Sequence, residues 1–291
     1  MFAFVSVCQQ ENCRQRIASS KRRAFAIDFR TRVSSATQLV NVVAAPQQSK
    51  AQVAGARQEQ HQNYQLYLGN NSAAITAADA ALADPSSISV FTYDAGGGNE
   101  NPLYTQTTEE PATYRPVDNF GIDPAEFVVD PADGRLAFYL EPRDEIGESS
   151  RIPVETMRGL YDVIDKPIPV YLPGEMYLTK AEASARGGDV PGAITALNQV
   201  IEKTNDAFGV NAALPAYSGA QTAEAVLAAT YLHRRIEIFL MGTSLEDSRR
   251  FGRPAPPAPA SFDSFDRNRN FYPYPQTERD NNPNTPADPS I

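Results

Sequence analysis

Tyrosines placed among amides and an arginine are the residues of this sequence best suited to binding chemistry. Tyr93, Tyr104 and Tyr114 lie in one proline- and glycine-rich stretch. A tyrosine offers an apolar ring that can pack on the C–H face of a sugar, and a hydroxyl group that pairs with polar atoms. Asn101 and Arg115 in the same stretch would supply polar partners. We therefore predict a ligand-binding surface formed by these five residues.

The same tyrosines have a purely structural interpretation. Large aromatic side chains are mostly buried in folded proteins, and a buried tyrosine usually finds a partner for its hydroxyl. The rings would then pin this irregular stretch onto the rest of the fold. For any single tyrosine the structural role is the commoner one, and the sequence leaves both interpretations open.

Groups suited to catalysis are sparse. His61 and His233 are the two histidines, and each falls in a helical pattern, where a partly exposed histidine is the ordinary outcome. Asp144, Glu145 and Glu148 could form the carboxylate pair of a glycosidase, but a loop cluster of this kind is typical of solvated charges. The sequence contains no nucleophile elbow and no paired-histidine zinc motif. We predict a protein that is not an enzyme and uses no cofactor.

Metal and phosphate motifs are equally weak. Cys8 and Cys13 are the only cysteines, and two thiols at this spacing match no zinc motif. The glycines at 96–98 lack the Lys-Ser/Thr of a phosphate loop. The segment Asp130–Gly134 lacks the ligand spacing of a calcium loop and is typical of a turn. We predict no metal site.

The charge distribution argues against nucleic acid as a partner. The formal net charge is −9, and the basic residues are concentrated in the first 35 positions. An acidic body repels phosphates, whereas the basic start is typical of a solvated terminus. No stretch of 18 apolar residues occurs. Residues Met1–Val7 lack a basic segment before them, so we expect no export signal in the chain as it stands.

A pair of helices between Glu175 and Ile201 organises the rest of the chain. Apolar residues recur at helical spacing on both sides of Gly187-Gly188, which can end the first helix with a positive φ. Asp189 is a suitable N-cap for the second helix, and Pro191 suits its first turn. Small residues near the turn permit close packing. This pattern predicts a tetratricopeptide-like helix pair.

Other segments complete the predicted organisation. Residues Gly69–Leu82 repeat the pattern of Gly188–Ile201 at an offset of 119, which predicts an earlier helix pair over residues 49–82. Further helices are expected at 222–241 and 245–251. Short extended pieces are expected at 88–93 and 136–140. We therefore predict a mostly α domain over residues 49–291, with a loop-rich insertion at 84–174, an irregular proline-rich tail from 254, and a poorly ordered segment at 1–48.

Several motifs, in this order, resemble those of the SusD/RagB-like nutrient-uptake outer membrane proteins. The matching segments are Asn101–Tyr104, Asp133–Leu136, Glu175–Ile201, Arg234–Gly242, Leu245–Gly252 and Arg269–Pro275. The resemblance covers residues 50–291. Ser244 departs from the family pattern, in which an arginine often follows the glycine.

The resemblance implies a helical scaffold with an irregular, ligand-facing region. It also implies a non-catalytic, surface-facing lipoprotein of the cell outer membrane that captures glycans or similar nutrients. Its partner would be a TonB-dependent, SusC-like β-barrel transporter. Because family members are commonly longer, we expect a truncated member in which residues 1–48 replace an export signal, a lipidated cysteine and further helices. A different function, that of a tetratricopeptide-type protein-interaction scaffold without glycan binding, remains as the alternative.

Overall fold

The structure is a computed structural model that describes residues 61–83, 89–96, 98–108, 116, 118–122, 126–146, 153–253 and 270–288. All of them lie in the unit formed by residues 44–291. The segment 1–48, the domain boundary after it and both cysteines lie outside the described residues. Within the described ranges, no helix is both long enough and apolar enough to cross a membrane.

Helices predominate over strands in the described part of the chain, which confirms a mostly α fold. The helices are α1 (residues 61–67), α2 (Asn71–Leu82), α3 (Pro102–Thr107), α4 (Gly134–Tyr139), α5 (Pro173–Arg186), α6 (Val190–Ile201), α7 (Ala223–Glu237), α8 (Ser244–Arg250) and α9 (Gln276–Asn281). Two antiparallel strand pairs accompany them. Strand β1 (Val90–Phe91) pairs with β4 (Ile168–Pro169), and β2 (Leu140–Ile146) pairs with β3 (Pro153–Met157).

The helix pair predicted at 175–201 is present as α5 and α6. Gly188 has a φ of +86°, and the N–H groups of Gly188 and Asp189 donate to the carbonyls of Ala185 and Ser184. These two bonds form a Schellman motif, which ends a helix at a left-handed residue. The Asp189 carboxylate then accepts the N–H of Gly192 at 3.0 Å and caps α6.

The turn between α1 and α2 repeats that between α5 and α6. Gly69 has a φ of +75°, and the N–H groups of Gly69 and Asn70 donate to the carbonyls of Leu66 and Gln65. These bonds are the Schellman pair again, each shifted by the predicted offset of 119. The internal repeat is therefore structural, although Asn70, unlike Asp189, makes no side-chain cap bond.

Helix α5 lies at the centre of the scaffold, in contact with α2, α6 and α7. Small residues permit this crowding, because alanines at 181 and 185 on α5 and at 193 and 196 on α6 are buried in one cluster. Val226 of α7 completes that cluster. The helix pair therefore packs on α7.

Aromatic side chains fasten the insertion to α7 and the residues after it. Tyr139 and Tyr161 are fully buried, and their hydroxyls donate to the carbonyls of Glu237 and Phe239 at 2.9 and 2.7 Å. Phe120 packs edge-on against Phe239, with 5.0 Å between ring centroids. The rings of Phe120, Tyr139 and Tyr161 therefore have a structural role, since they hold the insertion against the helices.

Three sequence predictions need correction. Residues 136–140 are not extended, because Asp133 accepts the N–H of Arg135 and starts helix α4, so only Leu140 begins a strand. Helix α7 ends at Glu237 rather than at 241, since Leu240 has a φ of +59°. The tail is not wholly irregular, because helix α9 forms directly after Pro275, which is its N-cap residue.

Candidate functional site

Three of the five predicted binding residues, Tyr93, Asn101 and Tyr104, fall in the described part of the insertion. Tyr114 and Arg115 lie outside it. So does Glu148, and only the backbone of Asp144 and Glu145 is described, within β2. Among the described residues, no group of three His, Cys, Asp or Glu side chains is arranged to hold a metal ion.

A tight turn after β1 brings Tyr93 next to the segment that carries Asn101. The Asp94 N–H donates to the carbonyl of Asn99 at 2.9 Å, and the Asn99 amide donates to the carbonyl of Thr92 at 3.2 Å. Gly98 accommodates the reversal with a φ of +72°. This turn exposes polar groups beside the aromatic residue that precedes it.

Tyr93 is half-buried and packs against the main hydrophobic core, whose members include Tyr139 and Tyr161. Burial raises the pKa of its phenol, so the hydroxyl remains a neutral hydrogen-bonding group at physiological pH. Tyr104 lies on α3 and is also half-buried. The neighbouring Leu103 packs against the same core as Tyr93. Both tyrosines are therefore held by the fold while part of each side chain stays exposed.

Asn101 has a different task from the one predicted. Its side chain is fully buried, and its amide group donates to the carbonyls of Leu160 and Lys166 at 3.2 and 2.9 Å. Its side-chain oxygen accepts the N–H groups of Leu103 and Tyr104, which caps α3. With these four bonds made, Asn101 positions Tyr104 and is not available for direct ligand contact.

Replacing Asn101 by alanine should destabilise the protein by about 2–3 kcal/mol, because one buried and one partly buried carbonyl lose their donor and α3 loses its cap. Chemical unfolding measures this change. Asn101→Asp is the matched variant, since it keeps the cap acceptor but cannot donate to the carbonyls of Leu160 and Lys166. Wild-type stability of Asn101→Asp would show that these two bonds contribute little.

The two histidines are held in hydrogen bonds. His61 is exposed and bonds to Gln65 at 2.9 Å. His233 is buried, against the prediction of a partly exposed residue, and its Nδ1 accepts a hydrogen bond from Arg135 at 2.8 Å. Burial and, to a smaller extent, the charge of Arg135 lower the pKa of His233 well below its ordinary value. The ring is therefore neutral, with its proton on Nε2.

This lowered pKa predicts acid sensitivity. Below pH 6.5, the ordinary histidine value, the unfolded chain binds a proton at His233 that the folded chain does not. The contribution of His233 to stability is thus complete above that pH and is lost as the pH falls, by up to about 1.4 kcal/mol per pH unit. His233→Gln keeps an acceptor for Arg135 without titrating. Unfolding free energies measured at several pH values should decrease less steeply for this variant, and parallel curves would contradict the assignment.

Solved structures of other proteins share this architecture. No protein family model and no curated protein matches the sequence significantly. A SusD superfamily protein from Bacteroides vulgatus ATCC 8482 superposes with a TM-score of 0.51 at 18% identity, covering 79% of this chain and 60% of that one. A second protein from the same organism, described as a candidate sugar-binding protein, gives 0.54 at 18%, covering 83% and 59%.

The fold is SusD-like. At this identity the similarity concerns the fold alone, and the chain spans about 60% of the length of the first of these structures. The tetratricopeptide character of its helix pairs stays a prediction.

The SusD-like scaffold presents one aromatic residue that the predicted binding set omitted. Phe91, on β1, is 41% exposed. It lies two residues before Tyr93, which falls beyond the end of β1. The extended piece predicted at 88–93 contained this signal, since alternation along a strand continuing to residue 93 would place Phe91 and Tyr93 on one face. The exposed ring of Phe91 adds aromatic surface to the part of the insertion that carries Tyr93.

Proposed function

We propose that the chain binds an oligosaccharide or similar nutrient without chemical conversion, at the surface formed by Phe91, Tyr93 and Tyr104. Tyr114 and Arg115 are proposed as further contacts. The proposal rests mainly on the environment of Tyr93. Its side chain packs against the core, and it is followed in the chain by a turn rich in amide and carboxylate groups.

Affinity at such a surface would come from stacking and from hydrogen bonds. Sugar C–H faces pack on aromatic rings, while their hydroxyls pair with amide, carboxylate and phenol groups. Because Tyr93 packs on the core and Asn101 holds Tyr104 on α3, little side-chain freedom is lost on binding, which favours affinity. None of these interactions requires a nucleophile or a general acid.

Delivery of the ligand to a TonB-dependent, SusC-like β-barrel transporter at the outer membrane is the further part of the proposal. Its support is the SusD-like fold together with the motif order of the sequence. The chain would act as a lipoprotein-type receptor component on the cell surface. Co-purification with a β-barrel protein from outer membranes tests this part separately from ligand binding.

Calorimetric titration with a panel of oligosaccharides tests ligand binding. Tyr93→Ala and Tyr104→Ala should each weaken the affinity about tenfold, since a ring contact of this kind is worth roughly 1–2 kcal/mol. Tyr64→Ala is the matched control, because Tyr64 is an exposed tyrosine on α1 and belongs to neither the insertion nor the proposed surface. Equal losses in all three variants, or no binding by the folded wild type, would overturn the proposal.

A further inference from the structure

The acidic residues of the chain are concentrated in the insertion. Residues 84–174 contain 17 acidic and 6 basic residues, a net charge of −11. The whole chain contains 35 and 26, so the residues outside the insertion carry a small net positive charge. Arg115, proposed above as a ligand contact, is one of the six basic residues and does not reverse this balance. The negative charge of the protein therefore belongs to the segment that carries Phe91, Tyr93 and Tyr104.

Two carboxylate groups lie beside Tyr93. Asp94 follows it directly and is exposed, and its Oδ1 accepts the N–H of Gly96 at 3.1 Å, which holds the carboxylate in the turn. Asp94 also forms an antiparallel bridge with Asn99, so the residues that flank the bridge, Tyr93 and Glu100, are next to each other in its register. Within the described residues, neither Asp94 nor Glu100 makes an ion pair. Both can therefore act on the charge of a ligand at the ring.

A neighbouring loop adds further carboxylates. The backbone N–H of Asn101 donates to the carbonyl of Ile164 at 2.7 Å, and its side-chain amide donates to that of Lys166 at 2.9 Å, so this loop lies against the start of α3. Asp162 and Asp165 belong to the loop. The Lys166 ammonium group pairs with Asp162 at 3.2 Å, whereas the exposed Asp165 makes no ion pair with any described residue. The surroundings of the proposed surface thus carry more negative than positive charge.

These charges act on the ligand with opposite signs, depending on its own charge. An exposed charge pair in water is weak, and at about 6 Å it changes an affinity about threefold. The effects of several carboxylates add, and they attract an ammonium group of a ligand but repel a carboxylate group. An amine can in addition pack over the rings of Phe91 and Tyr93 as a cation–π partner, whereas the negative face of a ring repels an anion.

We propose that the glycan surface selects its ligand by charge: it binds neutral and amine-bearing oligosaccharides and excludes those that carry carboxylate or sulfate groups. The inference rests on the proposed function, since it concerns the same surface. It adds a ligand class that neither the fold nor the aromatic residues specify.

Calorimetry with charged derivatives of one sugar tests this selection. The parent probe is whichever of cellotetraose, maltotetraose and mannotetraose binds most tightly, and in its two derivatives the C6 hydroxyl groups are replaced by amines or oxidised to carboxylates. At low salt the amine derivative should bind at least about tenfold more tightly than the carboxylate derivative, because opposite ligand charges near one protein carboxylate differ by that factor. In about 1 M salt, where the Debye length is about 3 Å, this ratio should fall below about threefold.

Two double variants separate local charge from net charge. Asp94→Asn combined with Glu100→Gln removes both carboxylates beside the ring but keeps the acceptor for the Gly96 N–H, and it should reduce the low-salt ratio at least about threefold. Glu202→Gln combined with Glu224→Gln is the matched control. It removes the same charge at exposed positions outside the insertion and should leave the ratio unchanged. The affinity for the neutral parent probe should stay the same in both variants.

The outcomes distinguish this inference from the proposed function. Equal affinities of the two derivatives at low salt, a ratio that persists at high salt, or equal effects of the two double variants would overturn selection by charge. The proposed function would then still stand, because the parent probe binds. Absence of binding by all three parent probes would overturn the proposed function and this inference with it.

Discussion

Replacing Arg135 by methionine should remove about 3–5 kcal/mol of folding stability. The guanidinium group is completely buried and contacts Asp133 at 2.6 Å and Glu237 at 3.2 Å. Burial alone would lower the pKa of Arg135, but the hydrogen bond and charge of Asp133 and the charge of Glu237 raise it instead. Methionine retains most of the side-chain volume but carries no charge. The change therefore leaves two buried carboxylates without this cation. Such a loss is a large part of the stability of an ordinary domain.

Urea unfolding of Arg135→Met measures this effect, and Arg158→Met is the matched control. Arg158 pairs with Glu141 at 2.7 Å, a geometry as good as that of Arg135, but the two side chains are 49% and 48% exposed. An exposed pair contributes only about 0–1 kcal/mol. Similar losses of unfolding free energy in the two variants would contradict the prediction, because a buried ion-pair network would then stabilise the protein no more than an exposed pair.

Gly174→Ala should destabilise the protein by about 3 kcal/mol, at the upper end of the cost of overpacking. A Cβ atom at this position would overlap the carboxyl group of Glu237. The carboxylate would have to leave Arg135 and Lys203, to which it is bonded. The glycine is therefore required for the close approach of α5 to α7, rather than for an unusual backbone conformation.

A double-mutant cycle tests this explanation. In a Glu237→Ala background the methyl group of Gly174→Ala should enter vacated space, so the second change should cost much less than it does in the wild type. Gly96→Ala is the control for a glycine without neighbours, because nothing lies within 4 Å of the added Cβ. Additive losses in the cycle would contradict the proposed overlap.

The helix pairs could be predicted from the sequence because their signals are local. Gly188 and Asp189 specify a helix end and a helix start within two residues, and the same signals recur at Gly69 and Asn70. Caps, turns and periodicity depend on neighbouring residues, which is why the α5–α6 pair and the start of α7 at Thr222 were predictable.

The parts that could not be predicted depend on residues far apart in the chain. His233 was expected to be partly exposed, yet it is buried beside Arg135, which is 98 positions away. Asn101 had the composition of a ligand contact, but its partners Leu160 and Lys166 are 59 and 65 positions away. No local pattern distinguishes a buried amide that ties loops together from one that faces a ligand.

Hydrogen exchange with and without the oligosaccharide that binds most tightly tests the central claim most directly, namely that a rigid helix frame presents the insertion for ligand binding. We expect exchange to slow at residues 91–94 and 99–106, where the aromatic turn and α3 lie. Exchange in α5 and α6 should not change, since neither helix contributes to the proposed surface and both are buried against their neighbours. Slowing confined to α1 and α2, with the insertion unaffected, would contradict the account.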